Sequence, residues 1–227
     1  MSAPLKLVIF DVDGTLVDSQ GDIVAAMTLA FDRAEAPAPS RAEILGIVGL
    51  SLEVAIARLA PQLSPEMHHH MVGWYKEAYL TLRAQAGAAA SSPLYPFARA
   101  VLDQLHTVPE TLLGVATGKS RRGLDKLFEA HDLARLFVTS QVSDHHPSKP
   151  HPAMLLAALA ETGIAPEHAV MVGDTTFDME MAQAAGVPFI GVSWGYHKLA
   201  MLTGAVRVLQ DFRDLPGALQ DLWEVAS

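Results

Sequence analysis

Short apolar runs punctuate the chain: Leu5–Phe10, Thr111–Ala116, Leu136–Thr139, Ala169–Val172 and Pro188–Val192. Each is partly β-branched and stops at a turn or an acidic residue. Near-continuous apolar runs of this length suit parallel strands covered on both faces. Helical spacing fills most of the gaps, as in Ser120–Ala130 and Pro152–Glu161, and Gly186 after Met179–Ala185 reads as a helix C-cap. Alternation of strand and helix predicts an α/β domain with right-handed crossovers. One gap breaks the rhythm. Between Phe10 and Thr111 no strand pattern occurs, while Ile23, Ala26, Met27, Ala30, Phe31 and Ala34 recur at helical spacing, as do residues in Ser51–Leu59, and a third helix fits Glu66–Ala86. A gap this long exceeds any ordinary crossover, so it predicts an inserted helical subdomain. The insert returns through Ser91-Ser92-Pro93-Leu94-Tyr95-Pro96, and Gly87–Ala90 before it reads as a hinge or a frayed helix end.

Composition narrows the classes. Half of the 227 residues are hydrophobic and 18% are charged, which supplies a core and excludes a mainly disordered chain. A formal charge of −9 argues against nucleic-acid or anionic-membrane binding. Cys is absent, which removes disulfides, thiolate metal sites and Cys nucleophiles. No apolar run approaches the roughly 20 residues that cross a bilayer, and Leu7–Phe10 is too short for a signal peptide. The expectation is a soluble, cytoplasmic protein, monomer or homodimer.

The chemistry clusters where strands end. Asp11 and Asp13 in Asp11-Val12-Asp13-Gly14-Thr15-Leu16 follow the first strand directly. Ligands of open parallel sheets bind beyond the carboxyl ends of strands, and two carboxylates there need a counter-ion. Thr117-Gly118 ends the second strand and opens a helix, which offers a hydroxyl and free N–H groups to an anion. Lys149 sits in the rigid Pro147-Ser148-Lys149-Pro150-His151-Pro152, and Gly173-Asp174-Thr175-Thr176-Phe177-Asp178 follows the fourth strand. Singly, each has a plain reading: a turn, an N-cap, a surface lysine. Together they hold carboxylates for a hard cation, an anion site and a balancing charge, which is what phosphoryl transfer requires.

The order Asp11-x-Asp13-Gly14-Thr15, Thr117-Gly118, Lys149-Pro150, Gly173-Asp174-Thr175-x-x-Asp178 resembles the haloacid dehalogenase superfamily of hydrolases. The helical insert and Ser193-Trp194-Gly195-Tyr196 resemble its phosphoglycolate phosphatase-like members. The resemblance implies a Rossmann-like three-layer core, residues 1–16 and 92–227, with an all-helical C1 cap over 17–91. It implies a nucleophile at Asp11, which forms an aspartyl-phosphate, and an acid–base residue at Asp13. Mg²⁺ would be held by Asp11, the Asp13 carbonyl and Asp174. Thr117, Gly118 and Lys149 would bind phosphate, and Asp178 would support Asp174 or Lys149. The implied partner is a small phosphorylated metabolite, with 2-phosphoglycolate the first choice. Sugar phosphomutases and pyrophosphate or nucleotide phosphatases share the motifs. Dehalogenation is disfavoured by Asp13, a phosphonate-type Schiff base by the solvated setting expected for Lys76, and a non-catalytic protein by the complete motif set.

Some positions depart from the family pattern or stand apart from it. Phe97 stands where the family usually has Gly, so the return turn is expected to differ. His145 and His146 precede Lys149 in place of a more acidic stretch; a loop surface is the favoured reading and substrate contact the other. His68–His70 are expected on an exposed helix face rather than at a metal, since successive helical residues point apart. The Gly-bearing turn Leu45–Ser51 resembles the subfamily's specificity loop, and Ser51 and Arg41 are candidate contacts that capping and exposure explain equally well.

Overall fold

Six strands form one parallel sheet in a computed structural model that describes residues 4–224; the expected outer ends of the core, 1–3 and 225–227, lie outside the described residues. In chain order they are β1 (Lys6–Phe10), β2 (Thr111–Thr117), β3 (Phe137–Val142), β4 (Ala169–Gly173), β5 (Phe189–Val192) and β6 (Arg207–Leu209). Their order across the sheet is β3-β2-β1-β4-β5-β6. The chain winds from β1 to β3 on one side, then restarts with β4 on the other side of β1. That switch opens a crevice at the carboxyl ends of β1, β2 and β4.

The helices of the insert are α1 (Gln20–Arg33), α2 (Arg41–Leu45), α3 (Leu52–Leu59), α4 (Pro65–Ala86) and α5 (Ala88–Ser91). Those of the core are α6 (Ala98–His106), α7 (Arg121–His131), α8 (Ala153–Thr162), α9 (Thr176–Ala185) and α10 (Leu215–Glu224). The period-2 pleat sorts β1 between two cores. Val8 and Phe10 pack with Leu102, Leu124 and Leu219 of α6, α7 and α10, while Leu7 and Ile9 pack with Leu155 and Met181 of α8 and α9. The sheet is therefore the middle of three layers, as expected. A third cluster, with Met27, Phe31, Ile44, Ile56 and Met71, belongs to the insert.

Local chemistry sets the helix ends. Ser64 accepts a hydrogen bond from the Met67 N–H, with Pro65 opening α4, and Ser120 accepts from the Gly123 N–H at the start of α7. Gly186 is left-handed at the end of α9, as its position in the sequence predicts.

Several expectations are corrected. β3 runs past Thr139 to Val142; its polar half is tolerated because Gln141 donates to Thr139 Oγ1 at 2.9 Å and its Oε1 lies 2.7 Å from His146 Nε2. β6 and α2 have no counterpart in the apolar pattern, being only three and five residues long. Beyond Gly87 the chain forms the short helix α5, and the return segment after it is bonded to both parts. Ser91 Oγ bonds Asp22 of α1, and His131 Nε2 of α7 donates to the Ser92 carbonyl at 2.8 Å. The turn at Phe97 does not differ from a glycine turn. Phe97 adopts φ 65° and ψ −5°, a left-handed conformation that costs a non-glycine residue about 1–2 kcal/mol, and its ring lies 4.0 Å from the Arg213 guanidinium carbon.

Where the insert leaves and rejoins the core, its two connections run side by side. Val17 bridges Leu94, Asp18 N–H donates to Pro93 O at 2.9 Å, and Tyr95 N–H donates to Leu16 O at 3.0 Å.

Candidate active site

Asp11, Asp13, Thr117, Gly118, Lys149, Asp174 and Asp178, the residues of the four motifs, come together at the crevice. Asp11 continues β1, its N–H donating to Val172 O of β4 at 2.9 Å, so the carboxylate is fixed by the sheet itself. Asp11 Oδ1 accepts from Lys149 Nζ at 2.6 Å, and Oδ2 is buried with no partner. Lys149 Nζ also donates to Asp178 Oδ1 at 2.6 Å, with both side chains fully buried. Asp178 is held by its helix start. Its Oδ2 accepts from Thr175 N–H at 3.1 Å and Thr175 Oγ1 at 2.6 Å, while Thr175 Oγ1 caps the Asp178 N–H. Of the two supports anticipated for Asp178, the structure provides the one to Lys149.

Asp174 ends β4. Its Oδ1 accepts from Thr15 Oγ1 at 3.0 Å and its Oδ2 from Tyr196 N–H at 2.7 Å. Burial first, then the Asp11 and Asp178 charges, push Asp174 well above the carboxylate range. Burial likewise raises Asp11 to about 7 against the opposing pull of Lys149. For Lys149 burial works against the charged form, but Asp11 and Asp178 outweigh it and raise the ammonium. Carboxylate oxygens of Asp11, Asp174 and Asp178 lie within 4.8 Å of one another. Three buried carboxylates thus face one ammonium, an excess of negative charge that suits a divalent cation with oxygen ligands. Asp174 and Asp178 each have both oxygens in hydrogen bonds, whereas Asp11 Oδ2 has none, so Asp11 offers the open ligand position of this cluster.

Backbone crowding makes glycine obligatory here. A Cβ on Gly195 would lie 2.0 Å from Asp174 Cβ, and one on Gly118 would lie 2.6 Å from Gly49 O. Gly195→Ala should therefore displace Asp174 and cost about 1–3 kcal/mol. Urea denaturation checks this; an unchanged midpoint would mean that the loop yields freely.

Asp13 accepts from Lys119 Nζ at 2.7 and 2.9 Å and from Ser19 Oγ. Ser19 N–H in turn donates to Tyr196 Oη at 3.1 Å. Lys119 and Ser19 escaped the sequence reading. Lys119 directly follows Thr117-Gly118, so a cation at the anion-binding turn was the available signal, whereas nothing local marks Ser19. Thr117 is buried at the end of β2, and its Oγ1 accepts from Lys119 N–H at 3.2 Å.

The insert covers this crevice. Its Val48–Leu50 turn sits on Gly118, Ser51 N–H donates to Ser148 Oγ at 2.9 Å, and His197 bridges insert and core. Thr176 N–H donates to His197 Nδ1 at 3.1 Å, which leaves Nε2–H to donate to Gly46 O at 3.2 Å. Between the two parts lies a cavity of about 510 Å³ that reaches Asp11, Asp13, Thr117 and Gly118. Ile47–Leu50 line it as the specificity-loop resemblance predicts, but Ser51 and Arg41 do not. Arg41 is exposed and bonded to Gln20, and the Ser51 side chain makes no cap bond. Lys76 is exposed and pairs with Glu53 at 3.6 Å, and both residues line the cavity. His69, His70 and His145 are exposed, and among the described residues no His joins a metal-competent cluster. No described helix is long and apolar enough to cross a membrane.

Comparison with known proteins agrees with this geometry. The sequence pattern of the haloacid dehalogenase-like hydrolases matches residues 8–192. The chain is 35% identical over 226 residues to the probable phosphatase IndB of Dickeya dadantii, covering 97% of this chain and 96% of that one. It is 32% identical to the phosphoglycolate phosphatase of Vibrio cholerae, over 85% of this chain and 86% of the relative. Among solved structures, a hydrolase from Pseudomonas syringae superposes with TM-score 0.83 at 25% identity, over 95% of this chain and 98% of that one. A haloacid dehalogenase-like family hydrolase from Streptococcus pneumoniae gives 0.81 at 26%, over 95% and 99%.

Proposed function

The chain belongs to the haloacid dehalogenase-like hydrolases and is a phosphatase of that family, and from that premise we propose that it hydrolyses a small phosphate monoester, with Mg²⁺, through an aspartyl-phosphate on Asp11. The observation that carries this reading is the state of Asp11. One oxygen is fixed by Lys149, the other is buried and unpartnered, and the residue lines the cavity.

A carboxylate oxygen of Asp11 attacks phosphorus, the P–O ester bond breaks, and Asp13 gives a proton to the departing oxygen. Asp13 then takes a proton from water as that water attacks the aspartyl-phosphate, releasing phosphate and restoring Asp11. Splitting the displacement into two steps lets the buried carboxylate, rather than water, meet the ester. The Thr117 hydroxyl and the N–H groups of the turn at Gly118 bind the phosphoryl oxygens, and Lys149 balances their charge. Lys119 and Ser19 orient the Asp13 carboxylate toward the leaving group. Asp11, Asp174 and the Asp13 carbonyl would hold Mg²⁺, which supplies charge neutralisation so that one anion can approach another. Residues 17–91 act as the cap that shields the site and selects the leaving group. Several relatives are named for phosphoglycolate, which makes 2-phosphoglycolate the reference substrate.

Metal titration tests the division of roles. Chelator should abolish hydrolysis and Mg²⁺ restore it. Asp13→Asn should lower kcat by about 10²–10⁴ with little change in the Mg²⁺ midpoint, whereas Asp174→Asn should raise the midpoint about tenfold or more. Full activity in excess chelator, or equal midpoint shifts in both variants, would overturn the assignment.

A further inference from the structure

Among the described residues the Arg83 side chain has no hydrogen-bond or ion-pair partner. Arg83 lies in the last turn of α4 and is 7% exposed, and its Nη2 is shielded from water. Glu129 of α7 feels its field, but that carboxylate is exposed and bonded to Lys126 at 2.6 Å. A guanidinium with one nitrogen buried and unbonded is destabilising, because the hydration of that nitrogen is lost and not replaced. Such a position calls for a counter-group from outside the chain.

Arg83 lines the same cavity as Asp11 and Asp13. Tyr79 connects them. Lys119 Nζ, which holds Asp13, lies 5.6 Å from the Tyr79 ring centre, and Arg83 stands one helical turn further along α4, about 6 Å. Met27, Leu50, Tyr75 and Leu80 give the cavity an apolar part, and Lys76, Arg122 and Lys126 also line it. The volume of about 510 Å³ falls in the range of roughly 300–1,000 Å³ that takes ligands far larger than a two-carbon acid.

We propose that the natural phosphate ester carries a second anionic group, a carboxylate or a further phosphate, separated from the scissile phosphate by an apolar body of about ring size, and that Arg83 receives this group. The inference rests on the phosphatase reading and gives its leaving group a chemical class. A planar guanidinium fork matches either anion by paired hydrogen bonds, while the apolar part of the cavity receives the body between them.

The test compares kcat/KM for phenyl phosphate, 4-carboxyphenyl phosphate, hydroquinone bisphosphate and 2-phosphoglycolate, in the wild type and in Arg83→Met. In the wild type at least one anion-bearing ring should exceed both phenyl phosphate and 2-phosphoglycolate by about tenfold or more, and which one does so tells carboxylate from phosphate. Arg83→Met should bring the ratio of that ester to phenyl phosphate near one, chiefly through KM. Without substrate, Arg83→Met should melt higher than the wild type, since it removes an uncompensated charge; an arginine kept for the fold would make the variant melt lower. Equal rates for the three aryl esters in the wild type, a preference for 2-phosphoglycolate, or a ratio that survives in Arg83→Met would overturn the proposal. Absence of hydrolysis for every ester would instead overturn the phosphatase reading.

Discussion

Asp11→Asn is expected to lose hydrolysis by about 10⁴-fold or more while the protein stays folded. The amide has the shape of the carboxylate, and its oxygen can still accept from Lys149 Nζ. What disappears is the nucleophilic charge. The change also lowers the electrostatic load of the site. Asp11 is raised to about 7, foremost by burial, and its charge helps to push Asp174 up. Replacing one of these competing carboxylates relieves its neighbour, so circular dichroism and melting should report an intact fold. In single turnover, acid-quenched wild-type protein should gain the mass of one phosphoryl group and the variant none. An Asp11→Asn protein that turns over, or that traps phosphate, would show that another residue attacks phosphorus.

Lys149→Met should be the most damaging single change to stability, at about 3–5 kcal/mol, together with loss of activity. Lys149 is 1% exposed and donates at 2.6 Å to both Asp11 and Asp178. Methionine fills much of the volume but leaves the carboxylates of Asp11, Asp174 and Asp178 buried together without a cation from the chain. For a domain of this size that loss corresponds to a melting temperature lower by about 10 °C. Added Mg²⁺ should recover part of it, because a ligand that binds only the folded state stabilises by mass action. Thermal melts with and without Mg²⁺ check the prediction. An unchanged melting temperature would mean that the three carboxylates do not depend on Lys149 for compensation.

The parts of the site that were legible in the sequence are those fixed by one strand end and its turn. Asp11, Thr117 and Asp174 lie at or immediately beyond the ends of β1, β2 and β4, where a parallel sheet presents its ligands, so a strand pattern followed by the right residue was sufficient. Asp178 was legible for a related reason, since the spacing from Thr175 that makes a capping box also turns its carboxylate inward. The contacts that join distant segments were not legible. Ser19 meets Tyr196 across 177 positions, and no local pattern encodes that distance. Arg83 looks like any basic residue in a final helical turn, where cations are ordinary, and only the tertiary fold buries it. β6 escaped because Arg207 is exposed and Val208 half-buried, which leaves little hydrophobic signal. Phe97 shows the opposite error. A missing glycine suggested a different turn, but Phe97 itself adopts the left-handed conformation that a glycine would take.

The ladder at the base of the cap, where Val17 meets Leu94, has a consequence for how such an enzyme can diversify. Because the outgoing and returning chains are already fastened together by backbone hydrogen bonds, the core presents two adjacent ends to whatever is spliced between them. The entropic penalty of spanning adjacent ends grows only with the logarithm of length, about 0.6 kcal/mol for each doubling. Inserts of different size and sequence can therefore be exchanged at this junction with little effect on the stability of the sheet beneath. On the proposed division of roles, phosphorus chemistry and leaving-group choice would then be separable units of inheritance, joined at a seam narrow enough for recombination to cut.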